Sequence, residues 1–61
     1  MNIIELNKVK SGEHFRQPNS DVVYCKIKFC QQAKKVLSYK VSDGYCSRWI
    51  EWNQATQVIK V

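Results

Sequence analysis

The sequence predicts a small all-β domain built from five short strands. Seven Val, five Ile and one Thr stand among its 61 residues, and seven residues are aromatic; both classes are favoured in strands. Residues 22–29 alternate between apolar and polar side chains, which is the period of a strand with one buried and one exposed face. Turn-forming residues separate the apolar segments at short intervals. Together these observations predict a small barrel, which has no exposed edge, or a strongly bent antiparallel sheet.

The first half of the chain contains two of the five predicted strands. Residues 1–8 are predicted to form an additional N-terminal strand or an arm, and residues 9–61 to form the barrel. Residues 10–16 are predicted to form a turn and a short strand. Residues 17–21 include Pro, Asn, Ser and Asp, which are typical of turns. The clearest strand covers residues 22–29, and its predicted core-facing side chains are Val23, Cys25, Ile27 and Phe29.

The second half contains the other three predicted strands. Residues 30–35 are predicted to form a polar connector, and residues 36–41 alternate again. Asp43 and Gly44 favour a tight hairpin turn with positive φ, which leads into a returning strand over residues 45–50. Two alternative sets of side chains are predicted for the core face of that returning strand. These sets are Tyr45, Ser47 and Trp49, or Cys46, Arg48, Ile50 and Trp52.

Residues 52–56 predict a single helical turn, which is followed by a last strand over residues 57–61. The order of these elements resembles that of Src-homology-3-like small barrels, over roughly residues 9 to 61. The segments that carry the resemblance are Lys10-Ser11-Gly12-Glu13-His14-Phe15, residues 23–29, Asp43-Gly44 and residues 53–58. In such barrels the last strand commonly follows one helical turn. In size and general style the chain also resembles small cytosolic proteins encoded by bacteriophages, and neither resemblance assigns a functional residue.

Length and composition restrict the classes of function. A chain of 61 residues forms one domain and buries only ~60% of its unfolded surface, so a deep catalytic pocket that excludes water is not expected. We predict a protein that is not an enzyme, with no catalytic residue and no cofactor. The longest apolar run has four residues, at 22–25, whereas a membrane-spanning helix needs ~20. The N-terminus has no signal-peptide pattern, so a cytoplasmic location is expected, in the host cytoplasm if the chain is phage-encoded.

The net charge of +5 predicts an anionic partner. All of this charge arises within residues 22–42, which contain five Lys and no acidic residue. If two neighbouring strands pair there, they present a basic face whose members are Tyr24, Lys26, Lys28, Lys34, Lys35 and Lys40. Such a face favours nucleic acid through counterion release and base stacking, or an acidic protein surface through electrostatic steering. A solvated face that discourages edge pairing is the alternative without a partner.

The three cysteines and the single histidine are ligand types of structural zinc, namely Cys25, Cys30, Cys46 and His14. Their spacing does not support a metal site. Cys25 and Cys30 are five residues apart, which is wider than the usual separation of two to four and places them on opposite faces of a continuing strand. We predict reduced thiols and no metal. Nothing in the spacing supports a catalytic pair of His14 with Cys30 or Cys46.

Aromatic residues around the second predicted hairpin form the predicted partner-binding surface. Its members are Tyr39, Tyr45, Arg48, Trp49 and Trp52. Trp and Tyr are enriched among the residues that carry most of the binding energy at interfaces. Trp49 and Trp52 are three residues apart, so they lie on opposite faces of a strand but on one face of a helical turn. One or both of them can instead belong to the core.

We therefore expect a small binding protein that docks on a larger macromolecule and blocks or modulates it, without chemistry of its own. The phage-like style predicts a host or defence protein as the target. The alternative is non-specific binding of DNA or RNA on the basic face of residues 22–42. Homodimerisation also fits a domain of this size, since an interface of ~800 Å² per partner would cover an exposed edge. No membrane partner is expected.

Overall fold

The computed structural model describes residues 2–61 and contains one antiparallel sheet of six strands. The strands are β1 (Ile3–Glu5), β2 (His14–Arg16), β3 (Val23–Cys30), β4 (Lys35–Lys40), β5 (Ile50–Asn53) and β6 (Gln57–Lys60), and a 3-10 turn (Leu6–Lys8) follows β1. Their order across the sheet is β1-β6-β2-β3-β4-β5, so β1 and β5 form the two edges and the sheet is not closed into a barrel. The predicted all-β class is confirmed.

The segment predicted as an N-terminal strand or arm is a strand joined to the 3-10 turn. β1 pairs with β6 at one edge of the sheet. The turn then lies against the connection between β5 and β6, where the Leu6 amide donates to the Thr56 carbonyl over 2.8 Å and the Asn7 amide donates to the Gln54 carbonyl over 3.0 Å. β1 therefore adds a sixth strand to the five that were expected.

Most of the predicted strands lie close to their expected positions. The range 22–29 corresponds to β3, 36–41 to β4 and 57–61 to β6, with ends that differ by one residue at most, and the short strand predicted within 10–16 is β2. In residues 22–29 and 36–41 the local alternation of apolar and polar residues is sufficient to identify a strand.

The strand predicted over residues 45–50 is wrong. Residues 41–49 form a long loop between β4 and β5, and only Ile50 of the predicted range belongs to a strand. Gly44 has the expected positive φ, +88°, but no tight hairpin follows it. Hydrogen bonds within the loop replace the strand ladder, such as the 2.6 Å bond from the Ser47 hydroxyl to the Gly44 carbonyl. Local bonds of this kind compete with strand pairing.

The helical turn predicted over residues 52–56 is a β-turn instead. Trp52 and Asn53 belong to β5, and the Thr56 amide donates to the Asn53 carbonyl over 3.0 Å. The side-chain oxygen of Asn53 accepts a further bond from the Ala55 amide over 2.8 Å. Asn favours turns over helices because its side chain can bond to the backbone two residues later.

The hydrophobic core lies on one side of the sheet, which we call the core face. Its fully buried residues are Leu6, Val9, Phe15, Val36 and Val58, and Ile4, Tyr24, Phe29 and Trp52 pack against them. Phe15 on β2 and Trp52 on β5 are three strands apart, which is about 14 Å in a flat sheet. Their ring centroids are only 5.5 Å apart. The sheet therefore bends strongly around its core, which agrees with the second of the two expected architectures.

A β-bulge at Ile27 divides β3 into two parts. Lys26 pairs with Ser38, and Lys28 pairs with Leu37, so Ile27 has no partner of its own on β4. One extra residue in a strand reverses which side chains face each side of the sheet beyond it. The two parts of β3 therefore present side chains of opposite parity to the core.

Because of the bulge, the core-facing set that was predicted for this strand is partly wrong. Tyr24 precedes the bulge and Phe29 follows it, yet both pack against the core. Val23 and Cys25 lie on the opposite side of the sheet, which we call the second face. On the other strands the second face includes Ile3, Arg16, Leu37, Tyr39 and Ile59.

Candidate functional site

Three of the residues predicted to bind a partner form one aromatic cluster, the surface trio of Tyr39, Tyr45 and Trp49. The ring centroids of Tyr39 and Tyr45 are 5.5 Å apart at an interplanar angle of 85°, and those of Tyr45 and Trp49 are 5.4 Å apart at 60°. The first contact is edge-to-face, which is a favourable arrangement of aromatic rings, and the second is tilted. Tyr45 is 55% exposed and Trp49 is 40% exposed. The trio therefore places a large apolar area in contact with water.

The loop of residues 41–49 holds the trio in position through its own hydrogen bonds. The Ser47 amide donates to the Gly44 carbonyl over 3.1 Å, and the Ser47 hydroxyl donates to the same carbonyl. The indole Nε1 of Trp49 donates to the Tyr45 carbonyl over 2.9 Å. Because these bonds position the rings in the unbound domain, a partner that docks on them has few side chains to order.

Tyr39 connects the trio to the sheet. It lies on β4 opposite the buried Cys25. A hydrogen bond with the Cys25 thiol, together with burial, raises the pKa of Tyr39 above its ordinary value of 10.0. The Tyr39 hydroxyl therefore stays protonated and uncharged at neutral pH.

Arg48 lies in the same loop, immediately before Trp49, and is exposed. Among residues 2–61 its guanidinium has no hydrogen-bond or ion-pair partner. A guanidinium forms strong, two-pronged bonds with carboxylates. Arg48 is therefore placed to pair with an acidic group of another molecule that contacts the trio.

Trp52 does not belong to the surface trio, although the sequence predicted it to lie in the same partner-binding surface. It lies on the core face opposite Val36, and its ring centroid is 5.5 Å from that of Phe15 and 4.9 Å from that of Tyr24. Its Nε1 donates to the buried Ser38 hydroxyl over 2.5 Å. We call Phe15, Tyr24 and Trp52 the core trio. The contacts of Trp52 serve the packing of the domain.

The predicted basic face is not a continuous exposed surface, since two of its members turn toward the core. Lys26 is only 7% exposed, and its Nζ donates to the Val9 carbonyl over 2.5 Å. Burial lowers the pKa of Lys26 below its ordinary value of 10.5. Tyr24 packs within the core trio, so its ring is not an open platform for a nucleic-acid base.

The remaining four lysines of that predicted face are divided between the two sides of the sheet and one turn. Lys28 lies after the bulge on the second face, whereas Lys40 lies on the side of the core face. Lys34 is exposed in the turn before β4, with a φ of +57°, and Lys35 begins β4 on the second face. The structure therefore does not bring the six residues together, because the bulge rotates Lys28 to the side opposite Lys40.

Sequence reasoning missed exposed apolar residues that lie on the second face outside the trio. Ile3 is 53% exposed and Val61 is 64% exposed. Ile3 pairs with Ile59 on β6, and the Val61 amide donates to the His14 carbonyl of β2 over 3.1 Å. No local pattern identifies these residues, because their position depends on which strands become neighbours.

The cysteines and the histidine are dispersed. Cys25 is buried, Cys30 is half-buried and Cys46 is exposed in the loop, and Cys25 alone of the three lies opposite His14 in the strand register. Across residues 2–61, no three side chains of the His, Cys, Asp or Glu types are grouped so as to hold a metal ion.

Two further features lie outside the trio. Lys60 Nζ and Glu13 Oε2 form an ion pair of 2.6 Å between β6 and the turn before β2. The hydrogen bond with Lys60, and a second one from the Lys10 amide, lower the pKa of Glu13 below its ordinary value of 4.5. At the other end of the sheet an open pocket adjoins the loop, and its lining residues are Asp21, Val22, Val23, Lys40, Val41 and Ser42.

Comparison of the chain with protein-family models, with curated proteins and with solved structures finds no match. The resemblances to Src-homology-3-like barrels and to small bacteriophage proteins therefore stay predictions. In the part of the chain that the structure describes, no helix has the length and apolar character needed to cross a membrane.

Proposed function

We propose that this chain is a small protein-binding module without catalytic activity, which docks on a larger protein and blocks or modulates it. The observation that carries the proposal is the surface trio. Tyr45 and Trp49 are exposed side by side, and their own loop fixes them in position. Apolar area left in water adds nothing to the stability of the isolated domain, and contiguous exposed apolar area marks interaction surfaces.

The composition of this surface supports a protein partner. Trp, Tyr and Arg are the residue types that most often carry binding energy at protein interfaces, and the trio with Arg48 supplies all three within one loop and one strand. A standard interface buries ~800 Å² on each partner. The accessible surface of the chain is 4265 Å², so one side of the domain provides enough area.

A cytoplasmic location, and a host or defence protein as the target of a phage-encoded chain, belong to the same proposal. They rest on the sequence features and the resemblance described above. Nucleic-acid binding has weaker support, because Lys26 is buried and the other lysines of the predicted basic face point in different directions.

Affinity capture tests the proposal. The wild-type domain, a Tyr45→Ser/Trp49→Ser double variant and a Lys8→Ser control would be immobilised and exposed to cell lysate. We expect the same proteins to be retained by the wild type and by the control, whose altered residue is exposed in the 3-10 turn, and to be lost with the double variant. Equal retention by all three proteins would contradict a role for the trio.

A titration separates the nucleic-acid alternative. The purified domain would be mixed with fluorescent single-stranded and double-stranded oligonucleotides at low and moderate salt. We expect no binding in the micromolar range. Tight binding that weakens steeply with salt would instead indicate a phosphate-binding surface and would replace the protein-binding proposal.

A further inference from the structure

The second face is the convex side of the sheet, because the sheet curls around its core. β5 and β6 are four positions apart in the strand order, which is about 19 Å in a flat sheet. Residues 54–56 connect them, and a connection of that length spans at most about 14 Å. The β-turn within it shortens the span further, since the Thr56 amide bonds to the Asn53 carbonyl. β5 therefore returns toward β6 on the core side, and the second face lies outside.

A first row of apolar side chains crosses this convex face. Each residue in the row lies opposite the next one in the strand register, from β1 through β6, β2 and β3 to the residue that follows β4. The members are Ile3, Ile59, Arg16, Val23 and Val41. The one cation among them donates from its guanidinium to the carbonyls of Gln17 and Ser20. The row is therefore mainly aliphatic.

A second row lies two residues further along each strand and leads into the surface trio. Its members are Val61, His14, Cys25 and Tyr39, and the ring of Tyr39 contacts that of Tyr45. We call the two rows and the trio the apolar band. The band crosses the sheet from β1 to β4, which is about 19 Å along the strand order.

The exposed side chains of the band lie at its two ends. Ile3 and Val61 are exposed at the β1 end, and Val41, Tyr45 and Trp49 are exposed at the loop end. The middle of the band contains residues that are buried already, such as Ile59 and Cys25. Because the face is convex, a flat partner surface covers one end at a time. A concave surface covers both.

The charges around the band select neither an acidic nor a basic partner. The second face, with Asp21 just before β3 and the loop of residues 41–49, carries four cations and four carboxylates. The cations are Arg16, Lys28, Lys35 and Arg48, and the carboxylates are Glu5, Asp21, Asp43 and Glu51. A phosphate backbone requires a surplus of cations, which this face does not have. An apolar surface of low net charge matches it better.

The convex shape argues against a second copy of the chain as the occupant. In a two-fold symmetric dimer the same face meets itself, and two convex faces touch over only part of their width. A standard interface buries ~800 Å² on each partner, which is about a fifth of the accessible surface of this chain, 4265 Å². A concave partner reaches both ends of the band and so covers a larger area than a second copy does.

We infer that the apolar band inserts into an apolar cleft of a larger folded protein, whose walls contact both ends of the band. The inference rests on the proposed function and adds the shape and chemistry of the partner's site. A domain that fills a cleft excludes whatever else enters it. Occupation of the cleft is therefore the physical means by which this domain blocks its target.

Capture from two forms of one lysate tests the inference. The native lysate, and the same lysate denatured and digested to short peptides, would be passed over the immobilised wild type, Ile3→Ser/Val61→Ser and Val22→Ser. The double variant alters the end of the band that is distant from the trio. The control alters an exposed valine that lies outside both rows. Far-UV circular dichroism checks that each variant is folded.

We expect proteins from the native lysate to bind the wild type and Val22→Ser equally, within about twofold. Ile3→Ser/Val61→Ser should retain at least about tenfold less, because two apolar contacts are lost. Nothing should be retained from the digested lysate, since a cleft exists only in a folded protein. Oxidative labelling of the wild-type domain should decrease at both ends of the band in the retained complex.

Other results would overturn the inference in different ways. Retention that is lost with Tyr45→Ser/Trp49→Ser but kept by Ile3→Ser/Val61→Ser would overturn the cleft and leave the protein-binding function in place. Retention of peptides from the digested lysate would replace the cleft by a linear segment. Equal retention by the wild type and both double variants would overturn the cleft and the proposed function together. Sedimentation of the wild-type domain as a dimer, lost with Ile3→Ser/Val61→Ser, would assign the band to a second copy.

Discussion

The core trio and the surface trio are similar in chemistry and opposite in situation. The core trio is Phe15, Tyr24 and Trp52, with ring centroids 4.9 to 5.7 Å apart. The surface trio is Tyr39, Tyr45 and Trp49, with neighbouring centroids 5.4 and 5.5 Å apart. The rings of both clusters meet edge-to-face, stacked or tilted, and each cluster contains one indole. The contact geometry alone therefore does not separate rings that stabilise the domain from rings that are left for a partner.

The difference between the two trios lies in what surrounds them. Leu6, Val9 and Val36 enclose the core trio from several elements of the chain. The surface trio is supported by one strand and one loop, and water reaches its outer rings. Enclosure by other side chains, more than contact between the rings, determines which cluster stabilises the fold.

The hydrogen bonds of the two indoles show the same contrast. Trp52 donates to the side chain of Ser38, which is completely buried and fourteen residues away in sequence. Trp49 donates to the Tyr45 carbonyl of its own loop. The first bond connects β5 to β4, whereas the second only shapes the loop. Loss of the two bonds should therefore have different consequences.

The largest expected effect comes from truncating the tryptophan of each trio. Trp52→Ala should lower the free energy of unfolding by about 3–5 kcal/mol, because it opens a cavity in the core. Trp49→Ala removes a partly exposed ring and should cost less than about 1 kcal/mol. Urea denaturation followed by far-UV circular dichroism measures both variants. Equal losses would show that the surface trio is part of the core.

The next effect concerns the acceptor of the Trp52 indole. Ser38→Ala should cost about 1–3 kcal/mol, because the buried Nε1–H loses its partner. Ser47→Ala is the matched control in the loop, where the lost hydroxyl is half-buried, and it should cost less than Ser38→Ala. The same denaturation experiment compares them. If Ser38→Ala left the free energy of unfolding unchanged, the bond between Trp52 and Ser38 would not contribute to the stability of the domain.

A third effect depends on pH and arises at Lys26, opposite Ser38 on the core face. Burial lowers the pKa of Lys26 below 10.5 in the folded domain. Between the lowered value and 10.5 the unfolded chain binds a proton that the folded chain lacks, so the stability of the fold should rise with pH in this window. Lys26→Met should abolish this rise, and Lys28→Met, at an exposed site, should retain it.

Unfolding measured between neutral pH and pH 10 checks this expectation. Above the ordinary Tyr pKa of 10.0, the raised pKa of Tyr39 acts in the opposite direction, because the unfolded chain then loses its tyrosine proton first. The measurement therefore stops below that value. An identical pH dependence in the wild type and in Lys26→Met would contradict the effect of burial on Lys26.

The smallest expected effect comes from a substitution in the exposed surface trio. Tyr45→Ser removes the central ring of the surface trio and should change the free energy of unfolding by less than about 1 kcal/mol. The emission of Trp49 should shift, since its neighbouring ring is lost. Fluorescence and urea denaturation of the same variant provide both values. A large loss of stability would mean that the loop of residues 41–49 holds the sheet together.

The sequence predicts the strands better than it predicts their faces. The alternating residues locate β3 and β4 within one residue, because alternation is a local property of a half-buried strand. The bulge at Ile27 leaves no comparable signal, since no Gly marks it. The grouping of Lys26 with Lys28 therefore failed, although both residues were correctly placed in one strand.

The candidate site was predicted in part for a similar reason. Tyr39, Tyr45 and Trp49 are close in sequence, and the loop brings them together. The offset between Trp49 and Trp52 left open which of them faces the core. Pairing of Trp52 with Val36 in β5 decides it, and that pairing depends on the strand register, which is not a property of the local sequence.

The extra residue at Ile27 is what places both Tyr24 and Phe29 on the core face of β3. A β3 of the same length without the bulge would alternate without interruption and turn Phe29 toward water, while Lys28 would enter the apolar interior. Deletion of Ile27 itself would remove the extra residue and leave Lys26 opposite Ser38 and Lys28 opposite Leu37. A substitution at Ile27 keeps the number of residues and leaves both parts of the strand in place. Descendants of this chain should therefore be able to change or lose the residue at position 27 and still keep Tyr24 and Phe29 in the core.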